Sequence, residues 1–151
     1  PRPGRYRFWG YADNNLLVAI DGKSIFDGSR YDSALHTISN VKRRNHPAWP
    51  CLNASAGFAS GPWVEINQGP VQLDILFGEV SGNLTSGLLL VEREGESYEE
   101  TFWGQPKWSL FLTEEPDAER REELDRLRDH MEKNLMGSFS VSDSAVWKVG
   151  N

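Results

Sequence analysis

The side chains best suited to chemistry are Asp13, Asn14 and Asn15, three adjacent residues that each carry oxygen on a short side chain. A second polar stretch, Glu79 to Asn83, lies far along the chain. A hard cation such as calcium takes about six to eight oxygens at once, so one stretch is never enough and the two must converge. A sugar asks for similar lining, with amides and carboxylates for its hydroxyls and an aromatic face for its ring. Trp9 and Tyr11, just before Asp13, are the nearest aromatics. The candidate ligand-binding residues are therefore Trp9, Tyr11, Asp13, Asn14, Asn15, Glu79 and Asn83. The plainer alternative is that Asp13-Asn14-Asn15 only caps a turn, since Asn and Asp hydrogen-bond their own backbone and tolerate left-handed angles.

Other chemistries find little support. The three histidines, His36, His46 and His130, sit in no metal-binding or nucleophile motif, and His130 falls among charged residues. The single cysteine, Cys51, excludes an intrachain disulfide and reads as a buried, inert thiol. Glycines occur without the spacing of a phosphate-binding loop, and Lys42-Arg43-Arg44 reads as a solvated turn. Asn53-Ala-Ser55 and Asn83-Leu-Thr85 match the glycosylation pattern, which is too short to weigh much. A hydrolase would have only a carboxylate pair, Asp13 with Glu79, as its handle. The chain is read as a non-enzyme.

The candidate residues need elements to hold them. Tyr6 and Phe8 alternate with Arg5, Arg7 and Trp9, the two-residue period of a half-buried strand, and Leu16 to Ile20 form an apolar run of strand length. Asp21-Gly22, ahead of Ile25, signals a hairpin whose turn needs positive φ. Residues 29 to 61 are rich in turn formers, and Pro47 and Pro50 exclude a central strand there. Beyond them, Trp63 to Asn67 and Val71 to Phe77 alternate across Asn67-Gln-Gly-Pro70 at the spacing of antiparallel neighbours. This reading puts Val71, Leu73, Ile75 and Phe77 on one face. Leu88 to Val91, Trp108 to Leu112 and Ala145 to Val149 complete the strand candidates. Many short strands with turns between them predict an all-β antiparallel sandwich, jelly-roll-like.

One stretch departs from that pattern. Thr113 to Met136 predicts an amphipathic helix, with Pro116 in its first turn, acids near its start and Gly137 after its end. Its narrow stripe is Leu124, Leu127, Met131 and Leu135, enough to lie on the flank of a sheet. Glu122 with Arg126 and Asp129 with Lys133 are favourable i,i+4 pairs. Chain 1–151 is thus expected to be one domain with a helical insertion at about 114–136.

Three ordered pieces resemble the protective-antigen-type domain, a β-sandwich of toxins, flocculin adhesins and glycosidase inserts. They are Gly4 to Lys23, with its Ile-Asp-Gly hairpin, then Trp63 to Phe77, then Gly87 to Glu92. The resemblance implies an extracellular carbohydrate-binding or adhesion module, with calcium held by two successive aspartates in the sugar-binding members. Those positions fall on Asp13 and Asn14, so an amide stands where the family has a second carboxylate. Losing that charge predicts a weak calcium site or none, because ligand charge tunes affinity.

The bulk composition agrees with a folded binding module. The chain has 151 residues, 11% of them aromatic, including 6 Trp, and a net charge of −6. That charge opposes a nucleic-acid footprint. Residues 114–133 hold nine acids and five bases, so the rest is nearly neutral. No apolar run is long enough to span a membrane. The opening at Pro1, almost directly into a strand, suggests a piece of a longer extracellular, cell-surface or periplasmic protein. The expected partner is a glycan, or else a surface protein bound by a purely structural module with no metal or sugar site.

Overall fold

A computed structural model describes residues 1–13, 15–29, 42–43, 59–78, 86–102, 104, 106–134, 137–142 and 145–149. The chain is mostly β, in two antiparallel sheets with one helix towards the C-terminus. In chain order the strands are β1 (Gly4–Asp13), β2 (Asn15–Ile20), β3 (Lys23–Asp27), β4 (Lys42–Arg43), β5 (Ala59–Ser60), β6 (Val64–Ile66), β7 (Leu73–Gly78), β8 (Ser86–Arg93) and β9 (Ser109–Leu110). The six-stranded sheet runs β4-β5-β1-β8-β9, with β6 also pairing β1, and the three-stranded sheet runs β3-β2-β7.

The alternation read in β1 has a stronger outcome than expected. Tyr6, Phe8 and Ala12 point to the inner face, where they meet Leu16, Val18, Ile20, Ile25 and Phe26 of the smaller sheet in one core. Trp9 and Tyr11 point the other way and are buried too, with Leu90, Trp108, Met131 and Phe139. The six-stranded sheet is therefore covered on both faces at this end. Burying an aromatic side chain contributes about 1.5–3 kcal/mol, so β1 anchors both cores.

The hairpin forms as read. Asp21 and Gly22 have φ of 50° and 72°, the doubly positive pair that a type I′ turn requires. By contrast, β6 and β7 are not neighbours: β6 pairs β1, and β7 pairs β2 in the other sheet. Gly69, with φ 117°, and Pro70 carry the chain between sheets rather than folding it into a hairpin. The stretch 145–149 contributes a single parallel bridge, Val146 to Leu112, rather than a strand. His36, His46, Cys51 and both glycosylation patterns lie outside the described residues.

The helix α1 spans Ala118–Asn134, starting later than the pattern predicts. Asp117 accounts for the start: its Oδ1 accepts the Arg120 N–H at 2.9 Å, the N-cap bond that satisfies an orphan donor. Pro116 therefore precedes the cap. Leu124 and Met131 pack on the outer face of the six-stranded sheet, whereas Leu127 is 48% exposed and Leu135 lies outside the described residues. Glu122 pairs with Arg126 at 3.6 Å as read, while Asp129 sits 4.0 Å from Arg128.

Candidate functional site

Strand register decides what the polar stretches can do together. Asp13, the last residue of β1, pairs with Ser86, and Asn15, the first of β2, pairs with Gly78. The strands on either side of Asn14 thus belong to different sheets, β1 to the large one and β2 to the small one, and so do β7 and β8 on either side of residues 79–85. Both crossings leave the same end of the paired strands. Asn14, Glu79 and Asn83 lie outside the described residues, as does the Asp13 side chain. Asp13 and Asn15 are strand ends rather than members of a free loop.

Residues not singled out from the sequence brace this edge. Ala12 N–H donates to Gly28 O at 2.9 Å, and Gly28 N–H donates to Leu16 O at 2.8 Å, so one residue ties the strands on both sides of the first crossing. The buried Ser29 hydroxyl accepts the Leu16 N–H at 3.1 Å, and the buried Asp27 Oδ1 accepts the Ser29 N–H at 2.9 Å. Gly28 is tightly enclosed: a Cβ there would lie 3.0 Å from Phe26 Cε1 and 3.1 Å from Gly10 O, so its neighbours would have to shift. Asp27-Gly28-Ser29, the turn former after β3, was the only sequence signal for this brace.

The two aromatics expected to face a sugar are occupied elsewhere. Trp9 is 4% exposed and stacks on Trp108 with centroids 4.0 Å apart. Its indole N–H donates to Glu92 Oε2 at 2.7 Å, and the same oxygen accepts Arg7 Nε at 2.8 Å and a terminal Arg7 nitrogen at 2.6 Å. Arg7 Cζ lies 4.6 Å from the centroids of both Trp9 and Trp63. Tyr11 is 7% exposed in the same outer core. These rings hold the helix to the sheet and cannot offer an open face. The physical reason is that the helix needs an apolar floor, and the odd-numbered residues of β1 supply it.

The exposed aromatic at this edge is Phe77. It is 51% exposed, although it sits opposite the buried Leu16 and hence on the inner face of its sheet. Its ring lies across Gly87, where an added Cβ would overlap Phe77 Cε2 and Cζ. Ile75, on the same face, is 39% exposed, so the face read as Val71, Leu73, Ile75 and Phe77 is only partly covered, and Leu76 is 51% exposed on the opposite face.

Shifted titrating groups are engaged in structure. Burial pushes the phenols of Tyr98 and Tyr6 up, Tyr98 while accepting the Arg93 N–H at 2.8 Å and Tyr6 while donating to Arg2 O at 2.7 Å. Lys107 and Lys148 hold the carboxyls of Glu132 and Glu115 below the usual range through direct hydrogen bonds. Among the described residues no group of three or more His, Cys, Asp or Glu converges to hold a metal ion. Among them, too, no helix is long and apolar enough to cross a membrane. No protein-family model, curated protein or solved structure matches the chain.

Proposed function

We propose that the chain is a non-catalytic carbohydrate-binding module, a protective-antigen-type β-sandwich of an extracellular or cell-surface protein, which takes glycan at the edge where the chain crosses between sheets. One observation supports the reading: Asp13 pairs with Ser86 and Asn15 with Gly78, so the described residues that flank the two polar stretches share one edge. Amide and carboxylate groups beside braced strand ends match the hydroxyls of a sugar. Gly28, Ser29 and Asp27 brace the strands at Ala12 and Leu16, on either side of Asn14.

Calcium enters this reading as an assistant. Asp13 brings the only full charge among Asp13, Asn14 and Asn15, so the expected affinity is that of a weak extracellular site, about 10⁻⁴–10⁻³ M. A glycan array, run with calcium and with chelator, tests the proposal. Binding to a defined set of sugars that Asp13→Ala removes supports it, and a blank array in both conditions removes it.

A second reading, a protein-interaction module, is favoured by the run Ile75, Leu76 and Phe77. Three successive large apolar residues between 39% and 51% exposed on one strand are unusual for a surface facing water alone. Among the described residues β7 pairs on one side only, with β2. A partner strand could dock on such an edge by main-chain hydrogen bonds.

A further inference from the structure

Resting on the glycan reading above, we infer that Phe77 supplies the apolar platform of the binding edge, the surface on which a pyranose ring lies with its C–H face down. A sugar site needs an aromatic face as well as polar groups, and Trp9 and Tyr11 are both closed off beneath the helix. Phe77 is the large aromatic that the register delivers to the place they were expected to fill. It precedes Gly78, the partner of Asn15, and its ring spans to Gly87, the partner of Ala12. The ring therefore bridges the two sheets one residue from each strand end that carries a polar candidate.

Two further features fit a platform rather than a stray core residue. Phe77 faces the core side of its sheet, where Leu16 and Val18 beside it are almost fully buried, yet half of its own surface stays open. That open half costs hydrophobic stabilisation that full burial would have provided. Gly87 supplies the second feature, because it has no Cβ and so leaves the space that Phe77 Cε2 and Cζ occupy, which seats the edge of the ring against the β8 backbone. An aromatic ring held this way loses little entropy on binding. Leu76, equally exposed, belongs to the opposite face of the strand and has no part in the platform.

The test uses the whole chain against immobilised mono- and disaccharides carrying mannose, galactose, glucose and N-acetylglucosamine. On whichever of these the wild type binds, Phe77→Leu keeps the apolar bulk over Gly87 but removes the π-face, and is expected to weaken binding at least tenfold. Phe77→Tyr should stay within threefold of wild type, and so should Leu76→Ala. Selective ring labelling of phenylalanine should show transferred contacts from sugar C–H protons to the Phe77 ring. Equal binding by wild type and Phe77→Leu, or ring contacts to the sugar from residues other than Phe77, overturns the platform and leaves the glycan reading standing. No binding by the wild type to any of these sugars overturns both.

Discussion

The indole of Trp9 lies flat on that of Trp108, with ring planes within 12° of each other and centroids 4.0 Å apart. This contact joins β1, the strand that leads to the candidate site, to the segment on which α1 rests. Removing one ring leaves a cavity that the surroundings refill only in part. Trp108→Ala is expected to cost about 3–5 kcal/mol in urea unfolding and to shift the tryptophan emission to the red as Trp9 meets water. Since both rings are buried, Trp9→Phe should leave glycan affinity within a few fold of wild type, and a tenfold loss at unchanged stability would restore Trp9 as a contact residue.

Ser29 should affect stability and binding together. Its hydroxyl accepts the Leu16 N–H at 3.1 Å in a buried setting, so Ser29→Ala leaves a backbone donor without that partner. The expected loss is about 1–3 kcal/mol, read as a lower denaturation midpoint at constant slope. If the brace sets the geometry of the crossing, binding weakens even well below the unfolding temperature, whereas intact binding in Ser29→Ala would make the brace purely structural.

An acid-sensitive tie holds the helix in place. Glu132 accepts hydrogen bonds from Lys107 Nζ at 2.9 Å and from the Phe102 N–H at 3.2 Å, and its carboxyl titrates below the usual range, chiefly because of Lys107. A carboxyl whose folded pKa is depressed contributes stability above its unfolded value and loses it as pH falls through the folded value. The contribution should therefore be full at neutral pH and fade below about pH 4.3, the ordinary glutamate value. Glu132→Gln should lower stability at pH 7 by about 0.2–1 kcal/mol and shrink that difference in acid, as followed by thermal unfolding across pH. A gap that persists at pH 3 would mean the hydrogen-bonding shape matters rather than the charge.

How much of this was legible depends on whether the signal was local. Asp21-Gly22 announces its own turn, since positive φ at two positions is a property of those residues. The helix was legible as a pattern, but its start was displaced, because Asp117 caps it and Pro116 lies before the cap. Strand partners were not legible: the short link 67–70 looks like a hairpin, and only the shared core of the two sheets makes β6 choose β1 and β7 choose β2. The fate of Trp9 followed from the helix lying on that face, a tertiary event that alternation within β1 cannot report. The chemistry requires the two polar stretches to converge, and what the backbone register shows is the pairing of residues that flank them, Asp13 with Ser86 and Asn15 with Gly78.

Gly10 marks a close approach in the middle of β1. A Cβ added there would overlap Leu88 O, which belongs to the paired backbone, and would lie 3.3 Å from Leu16 Cδ2 in the core. A backbone oxygen inside a ladder cannot swing aside as a side-chain tip can. Gly10→Ala is expected to destabilise by about 1–3 kcal/mol despite the small volume added, measured by chemical denaturation. A neutral result would show that β1 and β8 slide to make room.

Leu76 separates the two functional readings. Its side chain shares the outer face of the small sheet with Leu17, and half of its surface is open. A charge on that face disfavours edge-to-edge or partner-strand docking without touching either core. If β7 is a protein-docking edge, wild type should associate with itself or a partner strand in sedimentation velocity, and Leu76→Lys should reduce the association at least tenfold while glycan binding is unchanged. If wild type stays monomeric at high concentration and Leu76→Lys behaves identically with every candidate partner tested, the exposed run serves the sugar edge alone, through Phe77.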